Sequence, residues 1–93
     1  MVSIKEATAN AIEFARAALG PERTASVRLE EVESTRVGNE DAWLITLSML
    51  NADQPINSLA AVLGNGKREY KSFTVLKGNG EVTSMKIREL ADV

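Results

Sequence analysis

Three glutamates within four residues, Glu30, Glu31 and Glu33, form the densest group of side chains able to move a proton or hold a hard cation. In an extended chain alternate residues share a side, so Glu31 and Glu33 point one way and Glu30 the other. Only a bulge would bring the three carboxylates together; without one they read as a solvated strand end. A second group, Lys67, Arg68, Lys71, Lys86 and Arg88, lies on two neighbouring segments with Tyr70, the pattern of a sheet face that could hold phosphates and stack a base. One tyrosine and interleaved glutamates make a poor platform, and the same charges serve to deter edge pairing. Trp43 is the third candidate. Its ring could stack a ligand between a helix and a sheet, but apolar residues at alternate positions around it read as core.

Two absences weigh more than these groups. The 93 residues contain no histidine and no cysteine, which removes the commonest general base, the thiolate nucleophile and the commonest transition-metal ligands. We therefore expect no enzyme, no catalytic residue, no metal and no cofactor. Formal net charge is -2, with five basic and eight acidic side chains in residues 1–50 and six and five in residues 51–93, so nucleic acid is not an expected partner. Charges at Lys5, Glu6, Glu13 and Arg16 interrupt the amino-terminal apolar residues, and no stretch approaches the roughly 20 apolar residues of a membrane span. A cytoplasmic protein without a membrane partner is the expectation.

The chain is short enough for a single domain over residues 1–93. Ser3 and Glu6 have the spacing of a capping box, so a helix should start at Ile4. Ile4, Ala7, Thr8, Ala11, Ile12, Phe14, Ala15, Ala18 and Leu19 then fall on one stripe, with Ile4, Ile12, Phe14 and Leu19 as its large anchors. Gly20 and Pro21 end it. Residues 24–36 alternate as a strand with Val27 and Leu29 inward; Val32 breaks the parity, and a bulge near Glu30 and Glu31 restores it. Gly38-Asn39 is a turn. Residues 42–50 form the clearest strand, with Trp43, Ile45, Leu47 and Met49 on one side. Residues 51–66 are the least readable; the apolar run at 59–63 fits a short helix capped by Asn57 or Ser58, or an edge strand.

Residues 68–89 read as a hairpin turning at Gly78-Asn79-Gly80. The register sets Lys77 opposite Glu81, Val75 opposite Thr83, Phe73 opposite Met85 and Lys71 opposite Ile87. Phe73, Val75, Met85 and Ile87 then share a face. The sum is an α+β fold, one N-terminal helix across a four-stranded antiparallel meander sheet. A single helix covers one side only. The other side should present Leu44, Thr46, Ser48, Leu50, Tyr70, Ser72, Thr74, Leu76, Val82 and Ser84 as a possible interface.

A leading helix, VRLEEVE, WLITL, REYKSFTV and a turn into GEVTSMKI together resemble the PepSY-type domain and, more loosely, the cystatin-like helix-on-sheet family. The turn before Gly80-Glu81-Val82 usually carries an aspartate in the PepSY-type family, where this chain has Leu76-Lys77-Gly78-Asn79. The resemblance implies a binding or inhibitory module that acts on another protein without a catalytic centre. The expected function is a small non-enzymatic interaction or regulatory module, its partner an unidentified protein or a second copy of itself, engaged through the outer sheet face or an edge strand. The alternative is a small-ligand or enzymatic domain with a pocket near Trp43.

Overall fold

The computed structural model describes residues 1–50 and 68–88. The expectations for residues 51–66, and Lys67, lie outside them. Helix α1 (Ile4–Leu19) is followed by β1 (Arg28–Val37), β2 (Glu40–Leu50), β3 (Arg68–Leu76) and β4 (Val82–Arg88). The strands form one antiparallel sheet in the order β1-β2-β3-β4. This is the expected α+β meander.

The helix begins where its chemistry says it must. Ser3 Oγ accepts from the Glu6 amide at 3.1 Å while Glu6 Oε1 accepts from the Ser3 amide at 3.2 Å, so two donors with no intrahelical partner are satisfied together. Gly20 ends it with φ 95°, its amide donating to the Arg16 carbonyl. The contact with the sheet is made by Ala7, Ala11 and Ala15, all buried, against Ile45, Leu47, Phe73 and Val75. Small side chains let the helix backbone lie low on the sheet. The large anchors are consequently displaced: Ile12 packs at the margin of the core, but Ile4 and Phe14 are exposed, contrary to expectation, and Val2 packs on the core ahead of the cap instead. Phe14 still meets Phe73 edge to face, ring centres 6.3 Å apart.

The helix is pinned at one end to the β3–β4 turn. Val2 N donates to Lys77 O (2.7 Å), and Asn10 Nδ2 donates to Gly80 O (3.0 Å). Gly80 has φ 77°, a backbone conformation that favours glycine, and a Cβ there would stand 2.7 Å from Asn10 Nδ2 and push that amide out of its place.

Three features of the strands depart from expectation. Residues 21–26 are turns, so the first strand starts at Arg28 rather than Thr24. Thr24 is buried with its hydroxyl donating to Gly20 O (2.9 Å) while Val27 N donates to Thr24 O, which folds the chain back under the helix end. Second, the hairpin loop is Lys77 to Gly80. Leu76, not Lys77, is bonded to Glu81 (Leu76 N to Glu81 O, 2.9 Å), and Gly80 N closes the loop onto Leu76 O. Third, Phe73 faces Met85 and Thr74 faces Ser84 as expected, but Val75 faces Val82, leaving Thr83 as an extra residue. This bulge turns Val82 inward, where it packs on the core, so Val82 does not belong to the outer face. The bulge expected in β1 is present: Leu29 faces Leu47 and Glu31 faces Thr46, with Glu30 extra.

Of the expected core, Ile45, Leu47, Met49, Phe73 and Val75 are fully buried. Leu29 and Ile87, at the two ends of the cross-strand row Leu29-Leu47-Lys71-Ile87, are exposed, because the helix lies over the middle of the row and does not reach its ends.

Candidate interaction surfaces

Among the described residues the sheet offers three surfaces beyond the helix: its outer face, the β1 edge and the β4 edge. On the outer face the two bulges and the alternation place Arg28, Ser48, Tyr70 and Arg88 in one cross-strand row, Glu31, Thr46, Ser72 and Lys86 in the next, and Glu33, Leu44, Thr74 and Ser84 in a third. Apart from Leu44 and Ser84, hydroxyl residues occupy the middle strands of these rows and charges the outer ones. That distribution lets long arginine side chains lie flat across small neighbours.

Arg68 does so at one place. Its Nε donates to Ser48 Oγ (2.8 Å), and its Nη2 to Ser48 O and Ser26 O (3.0 and 2.6 Å). Ser48 Oγ in turn donates to Glu30 Oε2 (2.5 Å), which also accepts from Arg28 Nε (3.0 Å). The Ser48 hydrogen bond, with Arg28 beside it, holds the Glu30 carboxyl below the usual carboxylate range. Arg68 is shifted down by lost hydration and by the neighbouring Arg28 charge. Arg88 does the same at a second place. It reaches from β4 over β3 to Thr46 Oγ1 (3.0 Å) and pairs with Glu31 on β1. Strands about 4.8 Å apart make this a crossing of about 14 Å between the two edges, met halfway by the two side chains. Glu31 hydrogen bonding raises the Arg88 pKa.

The consequence reverses an expectation. Thr46 and Ser48, anticipated at the exposed centre of a free face, are 2% and 0% exposed, and Leu76 is buried as well. Leu44, Tyr70, Ser72, Thr74 and Ser84 are half-buried; only Leu50 of the anticipated interface is exposed. The bulge gathers the three glutamates on the outer side, as the sequence required for convergence, but Glu30 and Glu31 are held by arginines rather than turned toward a common ion. Among the described residues no cluster of acidic side chains could hold a metal.

Trp43 is half-buried on the helix side. Its Nε1 donates to Val2 O (3.2 Å), and Lys77 Nζ sits 4.0 Å from its ring centre while donating to Ser34 Oγ (2.6 Å). Both the ring face and the polar handle are already engaged.

The two edges differ. On its inner side, β1 carries Ser34 and Arg36 beyond Val32, the inward polar and charged residues that discourage an added strand. On β4 the unbulged run Ser84-Met85-Lys86-Ile87-Arg88 alternates without interruption: Met85 and Ile87 inward, Ser84, Lys86 and Arg88 outward. Ile87 is 75% exposed, and Phe14 of the helix is 39% exposed above Phe73, the strand neighbour of Met85. Sequence reasoning placed both Met85 and Ile87 in the core; Met85 does pack against it, but Ile87 does not, and the edge it marks was missed. The signal was the spacing of alanines at Ala7, Ala11 and Ala15, which makes the helix too narrow to cover the Ile87 end of the outermost strand.

Among the described residues no helix is long and apolar enough to cross a membrane. No family model, curated protein or solved structure matches the chain.

Proposed function

We propose that this protein is a cytoplasmic, non-enzymatic interaction module that takes an extended segment of another protein as a fifth strand along β4. The observation that carries the reading is the uninterrupted alternation Ser84 to Arg88 beside exposed Ile87 and Phe14 on a strand that is an edge among the described residues. Strand addition uses main-chain hydrogen bonds for affinity and alternate side-chain positions for selection. An added strand would set one set of side chains beside Met85 and Ile87 and the other beside Lys86 and Arg88. Since Arg88 is already paired with Glu31, the charge left on that side among the described residues is Lys86, and the partner segment is one that alternates apolar and acidic residues. A second copy pairing β4 to β4 would bring the Lys86 and Arg88 charges of both copies to the same side of the seam, which disfavours self-association there. The occupied state of Trp43 supports this reading over a pocket enzyme. A protein-binding role without catalysis is also what the PepSY-type resemblance implies.

The test uses a capped peptide of alternating valine and glutamate, the same peptide with every second amide N-methylated, and a valine–lysine version. We expect saturable binding of the first, a loss of about tenfold or more on N-methylation (about 1.4 kcal/mol per tenfold), and weaker binding of the lysine peptide. Lys86→Glu should reverse the charge preference. Equal binding of the methylated and unmethylated peptides would sink strand addition, and a dimeric mass in light scattering that the peptide does not dissociate would replace it with self-association.

A further inference from the structure

The helix side of the sheet holds a charge arrangement that the proposed strand addition does not use. Glu69 and Lys71 are alternate residues of β3 and share this side, about 7 Å apart along the strand. Arg23, from the turns after the helix, pairs with Glu69 and so lies over β3 beside Lys71. Arg23 spends Nη2 on that pair, but its Nε is buried with no hydrogen-bond partner. Lys71 is only 8% exposed, and among the described residues its ammonium has no ion pair and donates no hydrogen bond. Burial first, and the Arg23 charge second, lower its pKa. Among the described residues, two positive groups and one negative leave one uncompensated charge, and Arg23 Nε is a buried donor left unspent. A buried donor left unmade is costly, and so is a poorly hydrated ammonium without a counter-charge, so one negatively charged acceptor meeting both groups would complete the arrangement. Lys71 is flanked across the strands by Leu47, buried, and Ile87, largely exposed, so the approach to the charge runs along an apolar shelf.

We propose that Arg23 and Lys71 form a binding site for a small carboxylate with a short apolar tail, its two oxygens accepting from Arg23 Nε and Lys71 Nζ and its tail lying against Ile87. A single negative charge matches the local excess of one, which a doubly charged phosphate would exceed. The charged groups of this site take no part in the strand addition proposed for the β4 edge, although both would use Ile87.

Isovalerate, acetate and inorganic phosphate are titrated into the full chain at constant ionic strength, with the Arg Nε–H and Lys side-chain resonances followed by NMR. Isovalerate should give a saturable shift of Arg23 Nε–H and of the Lys71 side chain. Acetate should bind about tenfold more weakly, and phosphate should shift neither group at the same concentration. Lys71→Met, which keeps the volume and removes the charge, should abolish the shift with the backbone spectrum retained. Ile87→Ser should weaken isovalerate without affecting acetate. The proposal is overturned if chloride at matched ionic strength reproduces the shifts, if Lys71→Met binds isovalerate as well as the parent chain does, or if neither resonance moves. It is also overturned if Asp53→Asn, Glu89→Gln or Asp92→Asn alone opens the site to isovalerate, which would mean that a carboxylate of this chain already fills it.

Discussion

The two faces of this sheet exclude water by different means. On the inner face Ile45, Leu47, Phe73 and Val75 are closed over by Ala7, Ala11 and Ala15, an apolar contact whose strength comes from close approach. On the outer face Thr46 and Ser48 are as well buried as those residues, yet their neighbours are Arg68 and Arg88 lying across them and anchored by Glu30 and Glu31. Burial on one side rests on shape, and on the other on a charged lattice. The two should therefore fail under different perturbations.

Phe73→Ala should have the largest effect. The side chain is fully buried against Phe14 and the helix alanines, and its loss should lower stability by about 3–5 kcal/mol in denaturant titration. A loss below 1 kcal/mol would show that the inner contact is loose. Ala11→Leu probes the same contact from the opposite direction. Overfilling should cost about 1–3 kcal/mol, whereas the same change at exposed Ala9 should be within about 0.5 kcal/mol. If Ala11→Leu stabilises, the helix does not sit low on the sheet.

Arg68→Ala addresses the outer lattice. It removes the donor to Ser48 Oγ and to two carbonyls, and should cost about 1–3 kcal/mol. The inner-face variants should respond little to salt, while this variant should lose the salt sensitivity of the parent chain. The smallest effect is a pH dependence. Glu30 has a folded-state pKa below its unfolded one, so its contribution is present in full above the ordinary carboxylate range and fades as pH falls through the depressed value. Stability followed from neutral pH downward should fall less steeply in Glu30→Gln than in the parent chain. Parallel curves would remove Glu30 from the lattice.

Much of the fold could be read from residue order because its signals are local. Ser3 and Glu6 mark the helix start, Gly20 its end, and Phe73 and Met85 the hairpin register. The β1 bulge was legible because Leu29 and Val32, three apart, cannot share a face in a regular strand. Val82 and Met85 are also three apart, and the same parity break announces the bulge at Thr83. Taking Gly78-Asn79-Gly80 as the whole loop concealed it. The outer face was less legible for a physical reason. Its closure depends on Arg88 meeting Glu31 and Thr46, and Arg68 meeting Ser48 and Ser26, side chains 20 to 57 residues apart whose reach no local pattern encodes. The exposure of Ile87 likewise depends on how far a narrow, alanine-faced helix extends sideways.

If both faces are closed at their centres, a partner has to enter from the side. The most direct measurement is residue-resolved NMR of the full chain as the alternating valine–glutamate peptide is added. We predict that amide shifts and slowed hydrogen exchange concentrate on Ser84 to Arg88, with side-chain shifts at Phe14. Changes centred instead on Thr46, Ser72 and Thr74, or on β1, would contradict the account, because the partner would then be meeting a face that this structure shows covered or an edge it shows guarded.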